Sequence, residues 1–165
     1  MINIFVEAWD KNKNKLEDYF KNTLQIEYNN YKEISTKLIE LVINPYLKEK
    51  EDLCYPICNG LNLKKITEID GGDYQGTLIF LIPFKCYEPT EEEYIVTTVC
   101  YGSCGGCDTL LGILDSVNGI TSIEAWFSDL AEKLPNKEQL SDYMRLALDL
   151  LQQMKFFDER EEIYE

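Results

Sequence analysis

Apolar residues recur with one period at the two ends of this chain and with another in its middle. In the first third, Leu16, Tyr19, Phe20 and Thr23 are spaced three or four apart, as one side of a helix requires. Ile34, Leu38, Leu41 and Val42 follow the i, i+4, i+7, i+8 pattern and predict a second helix with one apolar face. Pro45 disfavours helical geometry at Asn44, so that helix is expected to end or kink there. Tyr28, Tyr31 and Tyr46 lie nearby and suit its amphipathic rim.

The period changes after an irregular stretch, EKEDLCYPICNGLN, broken by Pro56 and Asn59-Gly60. Residues 63–69, 77–84 and 94–101 read as three strands, rich in β-branched and aromatic side chains. DGGDYQG between the first two suits a turn, Pro83 must fall at a strand end or bulge, and YEPTEEE is a polar loop. From residue 107 onward only helical patterns follow. Thr121 to Glu124 resembles a capping box ahead of AWFSDLAEKL. Asn136 is the expected cap of a last helix, with Gln139 reaching back to it and Leu140, Met144, Ala147, Leu148 and Leu151 as its apolar stripe. The order predicts an α+β fold: a small antiparallel three-stranded sheet flanked by N-terminal and C-terminal helices that cover one face. Residues 1–157 read as a single domain and 158–165 as an acidic tail.

Composition agrees with a packed domain, at 45% hydrophobic and 12% aromatic residues. No apolar run approaches the roughly 20 residues that span a bilayer, and the start has no basic segment ahead of an apolar stretch. The expected location is therefore cytoplasmic, where six cysteines do not imply a disulfide framework.

Charge changes the picture more. Residues 1–65 carry ten basic and ten acidic side chains, whereas residues 66–165 carry six and twenty, which is the whole net charge of −14. Such a field repels nucleic acid and anionic membranes and attracts basic partners. It serves solubility alone or a surface for a basic protein, and Glu91, Glu92 and Glu93 are the candidate partner-binding residues. The chain has no histidine, which excludes Ser-His-Asp and Cys-His nucleophile systems within it and leaves cysteine as the main ligand for any zinc.

The cysteines offer several chemistries. Cys104-Gly-Gly-Cys107 lies between a strand and a helix-like run, a context that lowers thiol pKa in dithiol redox sites. A thioredoxin-like fold would need further strands after that helix, and none is predicted. Cys54, Cys58, Cys104 and Cys107 could instead supply four thiolates to a structural zinc, or Cys54 and Cys58 could simply be buried. Cys100-x3-Cys104-x2-Cys107 has the spacing of a three-cysteine iron–sulfur site, but this chain is too short for the barrel such enzymes use. Cys100 also falls in a predicted strand, where its side chain can point into the core. The plainest reading is a structural turn of Gly102, Gly105 and Gly106, with Asp108 capping the helix through the amides of Leu110 or Leu111. Asp70-Gly-Gly-Asp73 lacks the ligand alternation of a calcium loop and reads as a turn.

DYQGTLIFLI, YGSCGGCDTLLGIL and YMRLALDLLQQMK resemble a family of small phage and prophage proteins of unassigned function, whose signature is Y/W-G-S-C-S-G-C-D after a strand. The matching positions are Tyr101, Gly102, Ser103, Cys104, Gly106, Cys107 and Asp108, with Gly105 where the family has serine. The resemblance covers residues 70–157 and implies a mobile-element origin, hence a host-cell cytoplasm, but no reaction. Together these readings predict a non-enzymatic acidic accessory protein that binds a basic host protein, as an inhibitor of a host defence or nucleic-acid-handling system. The alternative is a cysteine-centred protein with structural zinc or a CxxC redox site.

Overall fold

Helix α1 (Asn3–Lys21) buries Phe5, Ala8, Trp9, Asn12, Leu16 and Phe20, a stripe of three- and four-residue steps that begins well before Leu16. The structure is a computed structural model that describes residues 2–23, 30–73, 75–103, 108–115 and 134–157. Expectations for Tyr28, the Cys104–Cys107 segment, the helix opening at Thr121 and the acidic tail lie outside the described residues.

The second helix does not end at Asn44. Helix α2 (Tyr31–Leu38) passes through a π-helical turn, Ile39–Ile43, into α3 (Asn44–Glu49). Asn44 keeps helical angles, and its N–H donates to the Ile39 carbonyl five residues back. A proline ring clashes with the carbonyl four residues before it and offers no N–H; the wider turn ahead of Pro45 removes that conflict. The extra residue also rotates the apolar face, so Ile39, Val42, Ile43 and Leu47 are buried and Leu41 is only half-buried. Asn12 of α1 donates to the Val42 carbonyl in this turn at 3.1 Å.

Strands β1 (Thr67–Asp70), β2 (Gly76–Pro83), β3 (Tyr94–Tyr101) and β4 (Lys155–Phe156) form an antiparallel sheet in that order. The α+β class is as expected, but the sheet has four strands where three were expected. The fourth is two residues long, too short to show a period, and pairs Phe156 with Ile95 and Lys155 with Val96. On the covered face Leu78, Phe80 and Ile82 lie opposite Val99, Thr97 and Ile95. Cys100 lies opposite Thr77 on the other face and is exposed, so it does not point into the core.

Helix α4 (Thr109–Asp115) follows β3, and α5 (Lys137–Gln152) closes the core. Asn136 and Gln139 form the capping box, with the Gln139 N–H donating to Asn136 at 2.8 Å and the Asn136 N–H to Gln139 at 3.0 Å. The buried face of α5 is rotated from the expected stripe. Tyr143, Leu146, Ala147, Leu150 and Leu151 are buried, while Leu140, Met144 and Leu148 are half-buried. Tyr143 stacks on Phe20 of α1 at 5.2 Å, and Thr97 donates to the Leu150 carbonyl at 2.8 Å. Helices and sheet thereby share one apolar cluster.

Candidate functional site

Asp108 is buried at 3% exposure, so its carboxylate needs several donors to be tolerated. It has three. One oxygen accepts from the Leu111 N–H at 3.0 Å and from the Tyr31 hydroxyl at 2.5 Å; the other accepts from the Gly102 N–H at 3.1 Å. The Leu110 N–H donates to the Tyr31 oxygen at 3.1 Å. Asp108 therefore ties the end of β3, the start of α4 and the start of α2 together. Burial, then the bond to Asp108, pushes the Tyr31 phenol well above its ordinary range. Tyr31 is a core residue, not part of a rim. Gly102 and Asp108 frame a segment whose Cys104, Gly105, Gly106 and Cys107 lie outside the described residues.

A second latch joins the first three strands. The Tyr101 hydroxyl lies 2.5 Å from an Asp70 carboxylate oxygen and 2.7 Å from the Gly72 carbonyl. The Gly72 N–H donates to the same Asp70 oxygen at 3.0 Å. Asp70 thus closes β1 and anchors the turn that follows it. Its hydrogen bond holds the Tyr101 phenol up at about 12. Gly76 lies beneath this crossing: a Cβ there would sit 2.8 Å from the Gly72 Cα and 3.3 Å from the Tyr101 oxygen. Tyr31 and Tyr101 are the polar anchors that sequence reasoning missed. Gly76, a glycine where the turn enters β2, is the signal that could have pointed to the second.

Cys54 and Cys58 are both exposed, not buried; Leu53 and Ile57 beside them pack on the core instead. Their loop is held to the far end of β2. Asn59 donates to the Lys85 carbonyl at 2.8 Å, and the Lys85 N–H to the Gly60 carbonyl at 2.9 Å. Gly102 and Asp108 stand at the opposite end of the sheet, where Tyr101 pairs with Gly76. The seven residue steps of β2 between those ends span roughly 23 Å. The structure therefore does not bring Cys54 and Cys58 together with the described flanks of Cys104 and Cys107. Among the described residues, no three cysteine or carboxylate side chains converge as metal ligands.

The acidic loop divides in two. Glu93 serves the loop itself: its carboxylate accepts from the Thr90 N–H at 2.9 Å and from the Cys86 thiol at 3.3 Å. Burial, then this bond, raises the Cys86 thiol above its usual range. Glu91 and Glu92 face solvent. With Glu68, Asp70, Asp73 and Glu88, also exposed, they place carboxylates on β1, in the β1–β2 turn and in the β2–β3 loop. Lys85 is the one cation in the sequence between Lys65 and Lys133.

The chain matches no known family model, no curated protein and no solved structure. No described helix is long and apolar enough to cross a membrane.

Proposed function

We propose that this chain is an acidic, phage-type accessory protein that acts by binding a basic host protein, as an inhibitor of a host defence or nucleic-acid-handling system. The observation that carries the reading is the series of exposed carboxylates from Glu68 through Glu92, a stretch of sequence with Lys85 as its one cation. Such a surface offers a basic partner electrostatic steering and partner selection, and it repels DNA, RNA and anionic lipid. The resemblance around Tyr101 to Asp108 supports the mobile-element origin. Glu91 and Glu92 are the partner-facing members of the loop, and Glu93 supports their geometry.

The test is affinity capture from host lysate, with Glu91→Lys, Glu92→Lys as the paired variant. The expected result is a stoichiometric basic host protein that the variant loses and that dissociates as salt rises. Capture of no such protein, or equal capture by the variant at every salt concentration, would overturn the reading.

A further inference from the structure

Strand β1 is an outer strand of the sheet. Among the described residues only β2 pairs with it, and Thr67, Glu68, Ile69 and Asp70 are all exposed. The direction of its unpaired backbone groups follows from register. Gly71 continues the ladder opposite Thr77, and its N–H donates to the Thr77 carbonyl at 3.1 Å. Antiparallel pairs alternate between hydrogen-bonded and non-hydrogen-bonded. Ile69 and Thr67 therefore turn their N–H and C=O groups toward β2, while those of Glu68 and Asp70 point away from the sheet. Among the described residues, the two members of β1 whose backbone groups point away from β2 without a strand partner are the two that carry carboxylates. Ile69, 43% exposed, presents an apolar side chain on the outer face, next to Ile79.

We infer that β1 is a docking edge for an extended basic peptide, which adds to the sheet as a further strand. This rests on the acidic-binding-protein reading and names the site and the partner's chemistry. Side chains opposite Glu68 and Asp70 lie on the same face as those carboxylates, and cross-strand pairs of opposite charge stabilise while like charges repel. The fitting strand therefore alternates Lys or Arg, opposite Glu68 and Asp70, with β-branched residues that lie beside Thr67 and Ile69. Main-chain hydrogen bonds supply affinity and the alternate side chains supply selection. A second copy of this chain is the wrong occupant. Antiparallel self-pairing would set Glu68 and Asp70 against the same carboxylates, between chains that each carry a net charge of −14.

The probe is the peptide acetyl-Thr-Lys-Val-Lys-Val-Lys-Thr-amide, titrated into the whole chain at physiological salt by calorimetry and by 15N-resolved NMR. Its control is the same peptide N-methylated at the three lysine amides, which keeps charge and side chains and removes the pairing donors. The expected result is saturable binding that moves the Glu68 and Asp70 amides, and affinity at least about tenfold weaker for the methylated peptide. Glu68→Pro removes one outward N–H without touching the β1–β2 ladder, a position where proline is tolerated. It is expected to weaken binding by a similar factor, and Glu68→Gln by less, with a loss that vanishes at high salt. The methylated peptide decides the matter even if Glu68→Pro folds poorly. Equal affinity for both peptides would overturn edge pairing and leave the acidic-surface reading standing, because charge alone would then bind. Binding of neither would overturn the edge, while capture with the Glu91 and Glu92 variant judges the broader reading separately. A dimer that Glu68→Pro dissociates in sedimentation would make the occupant a second copy and overturn the assignment.

Discussion

The Tyr101 hydroxyl on β3 reaches over β2 to lie 2.5 Å from the Asp70 carboxylate on β1. This contact links the exposed edge strand to the covered middle of the sheet, with Gly76 as the gap it passes through. Tyr101→Phe keeps the ring and removes the latch. The expected outcome is faster hydrogen exchange at Ile69 and Gly71, whose N–H groups face β2, with little change at Phe80, read by NMR. Gly76→Ala drives a Cβ into the Gly72 backbone and is expected to cost about 1–3 kcal/mol in urea denaturation.

Asp108→Ala removes the acceptor shared by Tyr31, Gly102 and Leu111. A lost helix cap costs about 1 kcal/mol and buried donors left unpaired about 1–3 kcal/mol, so the expected loss is about 2–4 kcal/mol. Tyr31→Phe leaves the carboxylate with two of its donors and is expected to cost less. Equilibrium unfolding of the two variants and their double mutant checks both values and their coupling.

The raised phenols set an alkaline limit. Tyr31 is held neutral by burial and Asp108, Tyr19 is raised to about 12 by burial and Glu33, and Tyr101 is raised to about 12 by Asp70. In the unfolded chain a tyrosine ionises near 10. The native state thus holds these protons more tightly, which leaves stability intact below about pH 10 and lowers it as pH rises through about 12. Unfolding midpoints at pH 8, 10 and 11 should fall in that order, with a shallower fall for Tyr31→Phe. Absorbance at 295 nm should show late-ionising phenols whose amplitude Tyr101→Phe lowers by one tyrosine.

Cysteine reactivity should follow the described environments. Cys54, Cys58 and Cys100 are exposed, whereas Cys86 donates to Glu93 and its thiol pKa is raised. The thiolate is the reactive form. Iodoacetamide labelling of the native protein, read by peptide mass, should modify Cys86 several-fold more slowly than Cys54. Glu93→Gln should narrow that gap.

The central hairpin was legible because β2 and β3 are long and β-branched, with glycines and aspartates at the turn before them. The capping box at Asn136 was legible because both its bonds are local. The remaining features were set by tertiary contact. Pro45 looks like a stop, and only the π-turn and the Leu61 backbone bonded to Asn44 show why the helix continues. On α5, apolar residues cover a broad arc, and Phe20 and Thr97 decide which part faces inward. Strand β4 has two residues and no pattern to read. At the site, Asp108 stood out beside its glycines, but nothing local joins it to Tyr31, which lies 77 positions earlier.

The order of the sheet also bears on how the chain is made. Strands β1 to β3 form a local meander, yet β4 and the inner face of α5 reach β3 only after some fifty further residues, as the 53-residue separation of Thr97 and Leu150 shows. Non-local closure of this kind slows folding. Helix α1, which precedes the other described elements in the chain, has Phe20 stacked on Tyr143 and must wait for α5 to be synthesised. Until then its apolar stripe and the covered face of the meander remain open, so a nascent chain stalled before α5 would be a natural client for chaperones.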